Sequence, residues 1–148
     1  NGAASQNHKV DALSTHQKDR IEKLEQLIAK LTEESAKGKP IVVEGKKDAQ
    51  ALQELGVAGR VLMVKSGGKS FLQATSEIEA SGAREVILLL DFDRRGREGT
   101  KLLQRDLERA KIKADIRFWL ELRGLVGHDV QCIEGLPSYL VTLQLKVA

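Results

Sequence analysis

Five apolar residues in a row, Val86, Ile87, Leu88, Leu89 and Leu90, run straight into the acids Asp91 and Asp93 and then into Arg94, Arg95, Gly96 and Arg97. A short unbroken apolar run of this kind suits a strand covered on both faces, as in a parallel sheet between layers of helices. Such a strand ends at the C-terminal edge of the sheet, where α/β proteins place their ligands. Two carboxylates one residue apart at that edge can both turn toward a hard cation such as Mg²⁺. The arginines behind them suit phosphate oxygens. Acid beside base at a strand end points to metal-assisted phosphate chemistry.

The rest of the chain alternates in the same way. Ile41–Glu44 reads as a strand, followed by a helix over 47–55 that opens near Asp48. Residues 60–65 read as a second strand leading to a helix over 70–80. The strand at 85–90 leads to a helix over 97–110. Ile112, Ala114, Ile116 and Phe118 alternate with charged residues, which predicts a fourth strand over 113–118 at a sheet edge. A last helix is expected over 137–146, with Pro137 in its first turn. Strand–helix alternation with short links implies right-handed crossovers and a mainly parallel four-stranded sheet flanked by helices. With 148 residues and 41% hydrophobic content the chain can bury the core of one domain and is not expected to hold two full domains.

Ahead of this unit, residues 1–13 are polar and small and read as a flexible tail. A helix is expected over 14–37, where Ile21, Leu24, Ile28 and Leu31 form an apolar seam. That seam serves either to pack the helix on the domain body or to make a dimer or partner contact. Gly38 and Pro40 end it. The α/β unit then covers 40–148, including a C-terminal helical extension.

Ile41–Leu52, read IVVEGKKDAQAL, pairs an apolar strand and Glu44-Gly45 with the later Asp91-Phe92-Asp93. The combination hhhEG followed by hhhDxD resembles the Toprim domain, a family that includes topoisomerases of types IA and II, bacterial-type primases, OLD-family nucleases, recombination mediators of the RecR type and the ribonuclease that matures 5S ribosomal RNA. The resemblance covers roughly residues 40–125. It implies a compact Rossmann-like Toprim fold with an extra N-terminal helix. It aligns Glu44 with the family glutamate, Asp91 and Asp93 with the DxD pair, and Gly45 and Gly96 with the glycines that follow each motif. Topoisomerases carry glutamates where Arg95 and Arg97 stand, so this chain is similar to the primase-like form DxDRxGR. Its size and its IEGLPSYL ending at 133–140 resemble small archaeal Toprim proteins of unassigned function, related to the primase-type and 5S rRNA-maturase-type domains.

The resemblance implies that Asp91 and Asp93 serve mainly as ligands of Mg²⁺, with Mn²⁺ as an alternative. Glu44 would act either as a third ligand or as the general acid/base. Arg94, Arg97, Lys101 and Arg105 fall three or four apart, on one stripe of a helix, where they could follow a phosphodiester backbone. Lys46 and Lys47 follow Glu44, and Lys69 lies in a Lys65–Ser70 turn; these are further phosphate contacts or ordinary solvated charges. That turn is no Walker A loop, because Met63 occupies the required glycine position. Tyr139 and Cys132 are expected to pack. A single cysteine excludes a disulfide framework and a cysteine-rich zinc site.

A net charge of +3 permits nucleic-acid binding without demanding it. Without a membrane-length apolar run or a signal peptide, a cytoplasmic location off the membrane is expected. The expected function is Mg²⁺-dependent action on nucleic-acid phosphodiester bonds, RNA or DNA, as a nuclease or RNA-processing factor. The alternative is a non-catalytic, metal-assisted binding or adaptor module within a DNA or RNA processing complex.

Overall fold

The computed structural model describes the backbone of residues 2–65 and 71–148 and the side chains of 15–65 and 71–148. Four short strands, β1 (Ile41–Val43), β2 (Val61–Met63), β3 (Glu85–Leu88) and β4 (Lys113–Asp115), form one sheet in the order β2-β1-β3-β4, and every pair is parallel. Backbone bonds carry the pairing past the strand ends: Lys65 N–H donates to the Glu44 carbonyl at 2.9 Å, and Leu89 N–H to that of Val42 at 2.8 Å. β1 and β3 are the two central strands, and the chain turns outward from them in opposite directions. The crevice between their C-terminal ends is therefore the switch point of the sheet.

The apolar run that opens the sequence reading is explained by side-chain alternation across two cores. Ile41, Val43, Ile87 and Leu89 face one layer, where Leu24, Leu52, Trp119 and Leu136 pack. Val42, Val86, Leu88 and Leu90 face the other, with Ile78, Leu103 and Leu107. The first layer holds α1 (Gly2–Ala36), α2 (Lys46–Glu54), α5 (Arg117–Val126) and α6 (Leu136–Val147); the second holds α3 (Phe71–Ala80) and α4 (Arg94–Arg109). Among the described residues no helix is long and apolar enough to cross a membrane.

Two elements differ from those expected from the sequence. α1 begins at Gly2 rather than near Ser14, and neither proline nor a second glycine interrupts the stretch between. Its seam packs within the chain: Leu24 and Leu31 are buried, with Ile28 packed on the same core. Arg20 adds a polar tie, donating to the Tyr139 hydroxyl at 3.0 Å, while that hydroxyl donates to Asp129 at 3.1 Å. Tyr139 thus packs, as expected, with its polar tip engaged.

The second change is at residues 113–118. The strand is only Lys113–Asp115, at the predicted edge, and a helix absent from the sequence reading, α5, starts at Arg117. Phe118 fits two patterns at once. It ends the alternation Ile112, Ala114, Ile116, and it also begins the helical series Phe118, Trp119, Leu122, Val126, all buried. Asp115 fixes the corner: its buried carboxylate accepts the backbone N–H of Arg117 at 2.9 Å and both Nε and a terminal nitrogen of that guanidinium, at 3.1 and 2.9 Å.

Candidate metal and nucleic-acid site

Glu44 follows the last residue of β1, and Asp91 lies just beyond β3, so both stand at the switch point between the central strands. Glu44 is only 5% exposed, and its Oε1 lies 3.4 Å from the Lys65 ammonium, which comes from the end of neighbouring β2. Burial, the hydrogen bond that a protonated Asp91 can give Glu44, and the negative charge of Glu44, Asp48 and Asp93 push the Asp91 carboxyl up to about 8. The sheet places like charges where water cannot fully screen them.

Asp93 is turned to a different task. It is the N-cap of α4, and its Oδ1 accepts the Gly96 N–H at 2.8 Å. The start of α4 lies so close to the Asp91 backbone that a Cβ on Gly96 would meet the Asp91 carbonyl oxygen at 1.9 Å. Only a glycine fits there. Gly45 differs: its extended backbone (φ −146°) suits any residue, and a Cβ would meet nothing within 4 Å. Gly45 aligns with a motif glycine, yet the backbone here does not require one.

Asp48 and Cys132 enter the site although the sequence reading gave neither a role there. Asp48 lies in the first turn of α2 and is 7% exposed. Its Oδ2 accepts the Gly45 N–H at 3.1 Å, and its Oδ1 accepts the Glu134 N–H at 2.9 Å. Burial raises the Asp48 carboxyl above its usual range, and the two N–H bonds offset this only in part. Cys132 is half-buried rather than packed away. Among the described residues, Asp48, Asp91 and Cys132 form the group of three whose ligand atoms all lie within 4.8 Å of one another. Burial and the charge of Asp91 raise the thiol, which stays protonated and is a poor ligand for a hard cation. Asp91 is common to this trio and to the expected set of Glu44, Asp91 and Asp93. Carboxylate oxygens from Glu44 and Asp91, with Asp48 and Asp93 beside them, suit a hard divalent ion.

Further bonds fix the loop that carries the acids. The Trp119 indole donates to the carbonyl of Leu90 at 2.9 Å and lies 3.4 Å from that of Asp91. Phe92 N–H donates to the Gln131 carbonyl at 2.7 Å. The segment after α5 thereby closes against the Asp91–Asp93 loop.

Arg94, Arg97, Lys101 and Arg105 are all exposed on α4, while Leu103 and Leu107 face the core, so the expected stripe lies along the solvent side. Arg94 is paired with Glu98 at 3.2 Å and Arg105 with Asp106 at 3.5 Å. Lys46 and Lys47 are exposed at the start of α2, with Lys47 3.9 Å from Glu134. Lys69 lies outside the described residues.

A Toprim-domain family model matches residues 39–120. A UPF0292 protein of Methanocaldococcus jannaschii is 35% identical over 119 residues, spanning 80% of this chain and 91% of its own. Another, from Methanosarcina barkeri, is 31% identical over 127 residues, with 86% and 87% covered. A solved structure of an Aquifex aeolicus protein superposes with a TM-score of 0.61 at 26% identity, covering 74% of this chain and 94% of that one.

Proposed function

We propose, from the premise that this chain belongs to the Toprim family, that it is a Mg²⁺-dependent protein acting on the phosphodiester bonds of nucleic acid, as a nuclease or RNA-processing factor. Metal-dependent work on nucleic acid is the general character of the family. The observation that carries it is the pairing of Glu44 and Asp91 at the switch point, with the Asp91 carboxyl driven up to about 8 by burial and by its acidic neighbours.

Glu44 and Asp91 would hold the cation, with one oxygen of Asp93 already engaged in capping α4. Mn²⁺ would serve in place of Mg²⁺. The bound ion supplies positive charge that polarises a phosphoryl oxygen. Glu44 would act either as a ligand or as the group that takes and returns a proton, with Lys65 beside it. Lys46, Lys47, Arg94, Arg97, Lys101 and Arg105 supply cations for the strand backbone; Lys69 belongs to the same proposal. Water attack needs metal, carboxylates and a basic surface, and a domain of this size can supply all three.

A binding or adaptor module is the second reading. The engagement of Asp93 as a helix cap and of Asp48 by two backbone N–H groups favours it, because both acids then act as structure. Cleavage of labelled RNA and DNA, single- and double-stranded, with Mg²⁺, Mn²⁺ or EDTA separates the two. The nuclease reading predicts metal-dependent products that disappear in Asp91→Asn. Absence of cleavage at concentrations that bind the substrate would overturn it in favour of the module.

A further inference from the structure

α5 builds a cleft against α4 that begins at Phe92 and Asp93, next to Asp91 in the chain. Two adjoining hollows, of about 560 and 480 Å³, share Arg94, Arg97, Leu120 and Arg123 as walls. The first opens at Asp93 and is closed by His128 and Gln131; the second continues along Lys101. Neither Arg105 nor Arg109 lines it.

Arg123 is held in place rather than left to wander. Its guanidinium carbon lies 5.5 Å from the centroid of the Trp119 ring. The Trp119 indole is itself tied to the Leu90 carbonyl. The opposite wall is tied as well, because Phe92 N–H donates to the Gln131 carbonyl. Both walls are therefore fixed to the loop that carries Asp91. Arg94, Arg97, Lys101 and Arg123 give the cleft four cations, against Glu98, which is paired with Arg94, and Asp93 at its mouth. A fixed cationic groove leading away from a carboxylate site is complementary to a polyanion whose reacting phosphate sits at that site.

We propose that this α4–α5 cleft is the track for the phosphodiester backbone of a nucleic-acid strand bound at Glu44 and Asp91, and that Arg123 grips that backbone. The proposal rests on the nucleic-acid reading above. It goes beyond a simple stripe along α4, because it adds a wall from α5 to the phosphate contacts.

The test is anisotropy binding of labelled single-stranded RNA, single-stranded DNA and duplex DNA, over a salt series, with Ca²⁺ in place of Mg²⁺ to hold off cleavage. Arg123→Gln should weaken binding at least about fivefold for whichever probe binds, and lower the salt slope by about one. Arg60→Gln, exposed just before β2 at the far edge of the sheet, removes the same charge and should stay within about twofold of wild type. Lys101→Gln, at an exposed position of the same cleft, should repeat the loss if Arg123→Gln proves unstable by thermal melt. Affinities of Arg123→Gln and Lys101→Gln within about twofold of a wild type that binds would overturn the track and leave the nucleic-acid reading standing. A wild type that binds none of the three probes would remove both.

Discussion

The Oδ1 of Asp48 accepts the backbone N–H of Glu134 at 2.9 Å, pinning the first turn of α2 to the turn that opens α6. The same carboxylate holds Gly45 N–H through Oδ2, one residue beyond Glu44. A buried side chain thus fixes the approach of two distant chain segments to the acid site. Asp48→Ala leaves both N–H groups without this acceptor and is expected to cost about 2–3 kcal/mol. Urea unfolding measures it. A loss below about 0.5 kcal/mol would show that the bond is not needed to hold the segments together.

Trp119→Phe keeps the ring in the core and removes the indole N–H that bonds Leu90. The carbonyl is buried, so a loss of about 1–2 kcal/mol is expected by chemical denaturation, with the fold retained.

The two motif glycines should respond oppositely to alanine. Gly96→Ala drives a Cβ into the Asp91 carbonyl, so α4 must shift, at a cost of about 2–3 kcal/mol and with weakened metal binding. Gly45→Ala meets open space and an ordinary backbone conformation, so the melting temperature should stay within about 2 °C of wild type.

Stability without metal should depend on pH through Asp91. Its carboxyl is raised to about 8 in the folded protein, against about 3.9 in an unfolded chain. The folded state therefore binds this proton more tightly. That contribution is fully present below about pH 4 and is lost as pH rises through about 8. In EDTA, the wild type should lose stability relative to Asp91→Asn between pH 5 and pH 8, because asparagine has no proton to release. Thermal melts of both proteins across that range measure the difference. A constant difference would contradict the assignment.

The sheet and its central acids were legible because they rest on local pattern. An unbroken apolar run ending in acids locates a central strand, and the position of ligands at strand ends brings Glu44 and Asp91 together without knowledge of any contact. The helical stripe on α4 follows from spacing alone. α5 was not legible as a helix, because Phe118 satisfies both a two-residue and a helical period. The capping role of Asp93 has a local signal, an acid before a helix, but the same residue also fits the metal motif. The meeting of Asp48, Asp91 and Cys132 has none: Asp48 and Glu134 are 86 positions apart, and only the folded chain brings them together.

The central claim is that Glu44 and Asp91 hold a divalent cation at the end of β1 and β3. Mn²⁺ binding followed by electron paramagnetic resonance, with Mg²⁺ competition, tests it most directly. One competable site that weakens at least about tenfold in both Glu44→Gln and Asp91→Asn, and less in Asp93→Asn, is the predicted result. Unchanged Mn²⁺ affinity in Glu44→Gln and Asp91→Asn would contradict it.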